Sequence, residues 1–167
     1  MSSITLRMLE VENFGRFYDT TRLIFEEKSS AVVLGVAQGK STLVDSLEFL
    51  SRAVLDGKIY NSFLNVSKMH INKPKKATRV EILIDIVDAN HKGSYRYSLG
   101  VSDIGVISEF LMKESSGRRI FYRYKNQHCH IFLNQESIYL VPFPGLSTTI
   151  LPVHCSSPLD KLSVEIC

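Results

Sequence analysis

The chain has 167 residues, a net charge of +3 at pH 7, 44% hydrophobic residues and 22% charged residues. This length fits one domain, and these proportions are typical of a globular chain rather than a disordered or fibrous one. The mild positive charge does not by itself indicate a nucleic-acid-binding protein, and no apolar run approaches the ~20 residues that a membrane-spanning helix needs.

The cysteines and the N-terminus predict the compartment. Cys129, Cys155 and Cys167 are odd in number and widely spaced, a pattern typical of reduced thiols rather than of a disulfide framework. The first residues also lack the basic region and apolar core of a secretory signal. We therefore expect a cytoplasmic protein without membrane partners.

Two strands are predicted in the first 26 residues. Apolar and polar residues alternate from Ile4 to about Val11, which is the pattern of a half-buried strand. The sequence Asn13-Phe14-Gly15 then interrupts it. A second strand is predicted from Thr21 to Phe25.

The stretch from Ala31 to Leu55 contains the parts of a phosphate-binding loop in their usual order along the chain. An apolar strand at 31–34 meets Gly35, then comes Gly39-Lys40-Ser41-Thr42, and a helical pattern follows. The apolar residues of that helix recur at spacings of three and four and form one stripe. They are Leu43, Leu47, Leu50 and Val54.

This stretch predicts a site for ATP and Mg²⁺. A helix N-terminus offers free backbone N–H groups and partial positive charge to a phosphate, and Gly39 lets the backbone come close to it. Lys40 is predicted to reach the outer phosphates, Ser41 to hold Mg²⁺, and Thr42 to support the first turn and the inner phosphates. The alternative is a plain strand–glycine turn–helix in which Lys-Ser occurs by chance.

The predicted loop is shorter than usual. Four residues normally separate its first glycine from Gly-Lys, but only Val36, Ala37 and Gln38 separate Gly35 from Gly39. A shorter loop has fewer N–H donors, and Ala37 and Gln38 resist positive φ angles. We therefore expect Gly35 to belong to the site but the loop to bind ATP weakly.

A family resemblance covers the same region. The sequences Val11-Glu12-Asn13-Phe14 and Gly39–Leu47, together with Arg16-Phe17 and Leu23-Ile24-Phe25, resemble the N-terminal portion of SMC-like, ABC-type ATPase heads. They are most similar to prokaryotic abortive-infection and OLD-type ATPases of the AAA-like group. The resemblance implies that Arg16 lies near the nucleotide. The alternative for Arg16 is an exposed turn residue.

Residues 78–133 are predicted to form an antiparallel meander, because short alternating segments are separated by turn residues every 8–12 positions. The resemblance to abortive-infection ATPases extends over 78–125, where it is carried by Tyr95–Leu99 and Ile107–Leu111. Before the meander, Lys68–Arg79 holds five Lys or Arg and no acid. This segment is either a solvated loop or a contact for nucleic-acid phosphate.

Some parts of an ATPase are missing from the sequence. No apolar run ending in paired acids follows residue 55, and no Leu-Ser-Gly-Gly type signature occurs. Residues 136–167 contain four of the five prolines and are predicted to be an irregular tail. We therefore do not expect this chain alone to hydrolyse ATP, and a second ATPase half or a dimer partner is expected to supply the missing groups.

The sequence thus predicts an α+β fold in which an antiparallel β-subdomain packs around a strand–P-loop–helix unit. Residues 1–135 would form a partial P-loop ATPase domain, with the loop and helix at 31–55 and the meander at 78–133. The predicted function is the ATP-binding portion of an SMC- or OLD-like ATPase of the phage-defence or DNA-repair kind. The alternative is a non-catalytic remnant or interaction module that no longer binds nucleotide.

Overall fold

A computed structural model describes residues 3–26, 39–56, 77–89, 92–102, 105–124, 129–133 and 136–141. Within these ranges it contains one α-helix, one short 3₁₀ turn at Glu114–Ser116 and eight β-strands. The helix α1 is Lys40–Asp56. The strands are β1 Ser3–Glu12, β2 Thr21–Ile24, β3 Thr78–Val87, β4 Lys92–Ser102, β5 Gly105–Lys113, β6 Arg118–Tyr124, β7 Cys129–Leu133 and β8 Glu136–Val141.

All eight strands belong to one sheet in the order β2-β1-β3-β4-β5-β6-β7-β8. Every neighbouring pair is antiparallel. From β3 to β8 each strand pairs with the next one along the chain, so this part is a meander. The N-terminal hairpin of β1 and β2 extends the sheet beyond β3.

The predicted fold class is wrong. The described part of the chain is mainly one antiparallel sheet with a single α-helix, and not a P-loop unit that repeats strands and helices. Such a unit needs parallel strands joined by helical crossovers. Here β1 and β2 join the meander directly, so the sheet is one continuous layer rather than a subdomain beside a nucleotide-binding core. The predicted strand at 31–34 lies outside the described residues.

The local predictions were more accurate. The helix predicted over 41–55 is confirmed, as are the strands predicted before residue 26 and between 78 and 133, with ends that differ by a few residues. One strand was missed. Residues 136–141, which the sequence analysis assigned to the tail, form β8 and pair with β7, because the apolar run from Ile138 to Val141 precedes the prolines.

The core lies between one face of the sheet and helix α1. The helix contributes Phe49, Leu50 and Ala53, and alternate residues of the strands complete the core. Its largest fully buried apolar side chains are Phe14, Phe49, Leu9, Leu99, Val11, Val80, Val101 and Val106. In the described ranges, no helix is long and apolar enough to cross a membrane.

Candidate functional site

Helix α1 begins at the Gly39-Lys40-Ser41-Thr42 sequence. Gly39 has a φ of 102°, which L side chains rarely adopt, and its carbonyl accepts a 2.9 Å hydrogen bond from the N–H of Leu43. Gly39 therefore occupies the N-cap position, where it has no side-chain oxygen to accept hydrogen bonds from the first-turn N–H groups. Since these groups have no partner inside the helix, this end is suited to bind an anion.

A tight turn after β1 lies beside this end of the helix. We call residues 13–17 the docking turn. Phe14 and Phe17 exchange two backbone hydrogen bonds of 3.1 and 2.9 Å, and Asn13 and Gly15 have φ angles of 52° and 53°. The buried hydroxyl of Thr78 donates a 2.7 Å hydrogen bond to the carbonyl of Asn13. This bond attaches the docking turn to the start of β3.

The docking turn contacts helix α1 at two levels. At the first helical turn, the backbone N–H of Arg16 donates a 3.3 Å hydrogen bond to Oγ1 of Thr42. Farther along the helix, the rings of Phe14 and Phe49 pack with their centroids 5.9 Å apart. The turn and the helix therefore form one packed unit through both a polar and an apolar contact.

Two glycines allow this close approach. A Cβ atom on Gly15 would lie 2.7 Å from both Cγ2 and Oγ1 of Thr42. A Cβ atom on Gly39 would lie 3.0 Å from Cε1 of Phe17. Real Cβ atoms rarely approach other atoms so closely, because interiors are already packed to near-crystalline density, so any side chain at Gly15 would force Thr42 to move.

The structure places the predicted site residues close together, apart from Gly35. Lys40, Ser41 and Arg16 are exposed to solvent, whereas Thr42 is buried. The hydroxyl of Thr42 is directed at the docking turn through its bond with Arg16. Gly35 lies outside the described residues.

The electrostatics of this helix end favour a negatively charged ligand. The first turn of α1 contains no acidic residue, so no side chain of that turn neutralises the positive end of the helix dipole. The exposed Lys40 and Arg16 each add a positive charge. The arrangement can therefore hold phosphate groups by backbone donors and two cations.

The sequence did not indicate the residues that pack against the first turn of α1 and attach the docking turn to the sheet. Asn13, Gly15 and Phe17 were seen only as a break after β1 or as carriers of the resemblance, and Thr78 only as the start of a strand. Their roles depend on contacts between segments that are far apart in sequence, such as the 65 positions between Asn13 and Thr78. The only local signal was a glycine inside the Asn-Phe-Gly-Arg-Phe sequence.

A second polar cluster lies within the core at the centre of the meander. The hydroxyl of Tyr97 donates a 2.9 Å hydrogen bond to Oε1 of Glu109, and Nη2 of Arg123 lies 3.1 Å from Oε2 of the same carboxylate. The side chains of Glu109 and Arg123 are both 0% exposed. Burial raises the pKa of Tyr97 well above its ordinary value, and the charge of Glu109 adds to this, so Tyr97 remains a donor. The cluster is closed to solvent and is a structural one.

The opposite face of the sheet carries a row of ion pairs, which we call the charge ladder. Glu10 and Glu81 stand directly opposite each other on β1 and β3, with side chains only 4% and 6% exposed. Arginines neutralise both: Arg79 lies 2.6 Å from Glu10 and Arg96 lies 2.8 Å from Glu81. The ladder consists of Arg22, Glu10, Arg79, Glu81, Arg96 and Glu114.

Arg96 is the most strongly engaged member of the charge ladder. Its Nε and Nη2 atoms bond both oxygens of Glu114, at 2.9 and 2.6 Å, while Nη1 bonds Glu81. The hydrogen bonds with Glu114 raise the pKa of Arg96, although its partial burial opposes this, and those with Glu81 add to it. The same bonds lower the pKa of Glu114 below its ordinary value, against a smaller effect of burial.

The other sites considered from the sequence gain little from the structure. Of the basic segment Lys68–Arg79, the structure describes the last residues, and there Arg79 bonds Glu10 instead of presenting its charge to a nucleic acid. Within the part of the chain that the structure covers, no group of three or more His, Cys, Asp or Glu residues is placed to hold a metal ion.

The sequence matches no protein-family model, and a search of curated proteins found no match either. The first turn of α1, with the docking turn beside it, is the place where the exposed Lys40 and Arg16 meet a helix start that follows a glycine.

Proposed function

We propose that the first turn of helix α1 binds the phosphate groups of a nucleotide, with ATP and Mg²⁺ as the ligand. The observation that carries the proposal is the meeting of the exposed Lys40, Ser41 and Arg16 at a helix start that follows a glycine and has no acidic residue in its first turn. The resemblance of residues 11–25 and 39–47 to SMC- and OLD-like ATPases supports the choice of a nucleotide over other anions.

The proposed roles follow from the chemistry of each side chain. Lys40 supplies a point charge to the outer phosphates, and the hydroxyl of Ser41 is a ligand for the Mg²⁺ that accompanies them. Arg16 brings a second cation from the docking turn. The phosphates approach the backbone N–H groups of Lys40 and Ser41, while Gly39 admits the ring of Phe17 beside them. Gly35 is the first glycine of the shortened loop in the sequence.

The proposal concerns binding, since hydrolysis also needs a metal-holding acid and a group that positions water. We propose that a second ATPase half or a dimer partner supplies these groups, in a cytoplasmic system of the phage-defence or DNA-repair kind. A remnant of such a protein that no longer binds nucleotide is the competing proposal, and the following experiment separates the two.

Replacing Lys40 with alanine is expected to weaken ATP·Mg²⁺ binding by about 10- to 100-fold. The reason is that a charge-assisted contact contributes about 1.5–3 kcal/mol, and each 1.4 kcal/mol corresponds to about a tenfold change in affinity. The measurement is isothermal titration of the purified chain with ATP·Mg²⁺. Lys92→Ala is the matched control, because it removes one exposed lysine from the start of β4, and it should leave the affinity within about twofold.

Two results would contradict the proposal. Absence of ATP·Mg²⁺ binding by the unmodified chain would favour the remnant. Equal losses in Lys40→Ala and Lys92→Ala would show that only net charge matters, so the first turn of α1 would not be the site.

A further inference from the structure

We propose that the docking turn sets the position of the phosphate-binding turn of α1, with Gly15 and Thr42 as positioning residues. This inference rests on the proposed function and extends it. It assigns control of phosphate affinity to a contact between two protein segments, in addition to the groups that touch the ligand.

The main observation is the contact between Gly15 and Thr42. Thr42 is only 7% exposed, and its hydroxyl accepts the N–H of Arg16. A single added carbon at Gly15 would meet two atoms of Thr42 at 2.7 Å. The backbone of the docking turn therefore lies directly against the first turn of the helix, and the position of one determines the position of the other.

Two further contacts make this coupling rigid. The ring of Phe17 lies against Gly39, so the docking turn also contacts the residue before the helix. On its other side, the turn is attached to the sheet by a hydrogen bond from the hydroxyl of Thr78 to the carbonyl of Asn13. Thr78 is 0% exposed. The sheet thus holds the docking turn, and the docking turn holds the first turn of α1.

This arrangement has a consequence for binding. Backbone N–H groups bind phosphate well only when they are held within about 0.5 Å of the required geometry. A change that displaces Thr42 moves the neighbouring N–H groups of Lys40 and Ser41 as well, since all three belong to one helical turn. Phosphate affinity should therefore fall even though no phosphate-binding group has been removed.

Gly15→Ala tests the inference against a control with the same backbone strain. Gly15 has a φ of +53° and Gly117 a φ of +63°, but nothing lies within 4 Å of a Cβ atom placed on Gly117. Both alanine variants carry the strain of a left-handed backbone, and only Gly15→Ala pushes on Thr42. We expect Gly15→Ala to weaken ATP·Mg²⁺ binding by about tenfold or more and Gly117→Ala to change it by less than about twofold.

A double-mutant cycle locates the effect. Thr42→Ala removes the two atoms that the new Cβ would meet at 2.7 Å and leaves Cβ of Thr42 at 3.2 Å. Gly15→Ala should therefore weaken binding by only about twofold when Thr42 is already alanine. Amide hydrogen exchange without ligand gives an independent measurement: the amides of residues 40–43 should exchange faster in Gly15→Ala than in Gly117→Ala. If Gly15→Ala does not fold, Phe17→Leu replaces it, because it removes the ring beside Gly39 and keeps an apolar side chain.

The outcomes distinguish this inference from the proposed function. If Lys40→Ala weakens binding while Gly15→Ala matches Gly117→Ala in both affinity and exchange, the site stands and the positioning role is refuted. An effect of Gly15→Ala that persists unchanged in the Thr42→Ala background would also refute it. If the unmodified chain does not bind ATP·Mg²⁺, the proposed function fails and the inference fails with it.

Discussion

Replacing Glu109 with alanine is expected to lower the free energy of unfolding by about 3–5 kcal/mol. The substitution leaves the guanidinium of Arg123 without its 3.1 Å carboxylate partner at a position that is 0% exposed, and it removes the acceptor of the buried Tyr97 hydroxyl. A buried charge that loses its partner retains its full desolvation cost. The measurement is equilibrium unfolding in urea, compared with the unmodified chain.

Two variants serve as controls for this prediction. Glu48→Ala breaks the exposed pair with Arg52 on α1, whose side chains are 45% and 54% exposed, and it should cost less than about 0.5 kcal/mol. The double variant Glu109→Leu/Arg123→Met removes both charges and should recover part of the lost stability, because apolar pairs of similar volume often replace buried ion pairs without loss. The rest is the cost of the buried Tyr97 hydroxyl, which still lacks its acceptor. A cost of Glu109→Ala no larger than that of Glu48→Ala would contradict the prediction.

Replacing Arg96 with methionine is expected to cost about 2–4 kcal/mol at neutral pH. The guanidinium bonds two carboxylates, and one of them, Glu81, has a side chain that is only 6% exposed. Without Arg96, the remaining cation of the charge ladder near Glu81 is Arg79, at 3.9 Å. Glu81 would then face the like charge of Glu10 across the strand pair with weaker compensation.

The cost of Arg96→Met should depend on pH in a defined direction. Because the bond with Arg96 lowers the pKa of Glu114 in the folded protein, the resulting stabilisation is present above the ordinary glutamate pKa of about 4.3. It is lost as the pH falls through the lowered folded value. The difference in unfolding free energy between the two proteins should therefore become smaller as the pH falls from neutral to about 3. A difference that stays constant over this range would contradict the role given to the ion pairs.

The sequence predicted the elements whose signal is local. The alternation of Val80, Ile82, Ile84 and Ile86 predicted β3, and these residues do contribute to the core or pack against it. The apolar stripe through Leu50 predicted helix α1 in the same way. In both cases the period of the apolar residues is enough to determine the element and the face that it buries.

The arrangement of the elements could not be predicted in this way. The pairing of β1 with β3 places Glu10 opposite Glu81, and like charges directly opposite each other argue against a strand pair. The pairing holds because arginines from three strands cover both carboxylates. The phosphate-loop sequence directed the prediction toward an α+β unit, whereas the pairing of β1 with β3 makes one continuous sheet.

The sequence named exposed residues of the candidate site, whose role in binding stays a prediction, and it missed the residues that pack behind them. Lys40 and Ser41 belong to a short sequence whose chemistry is recognisable. Arg16 was predicted from the resemblance to SMC- and OLD-like ATPases. Gly15 and Phe17 act through contacts with the helix that no spacing rule indicates. Glu109 and Arg123 are paired only because the register of β5 and β6 shifts between Leu111 and Met112. The pairing set at the turn would place Glu109 opposite Tyr122, so spacing alone does not predict this ion pair.

The topology of the sheet also sets the order in which the protein can assemble. The hairpins from β3 to β8 join strands that are adjacent along the chain, so each closes a short loop at a small cost in entropy. The contact between Asn13 and Thr78 spans 65 positions, and contacts of such long range form slowly. We therefore expect β4, β5 and β6 to acquire protection in pulse-labelling hydrogen exchange before residues 40–43. The candidate site would then be completed only when the N-terminal hairpin joins the finished meander.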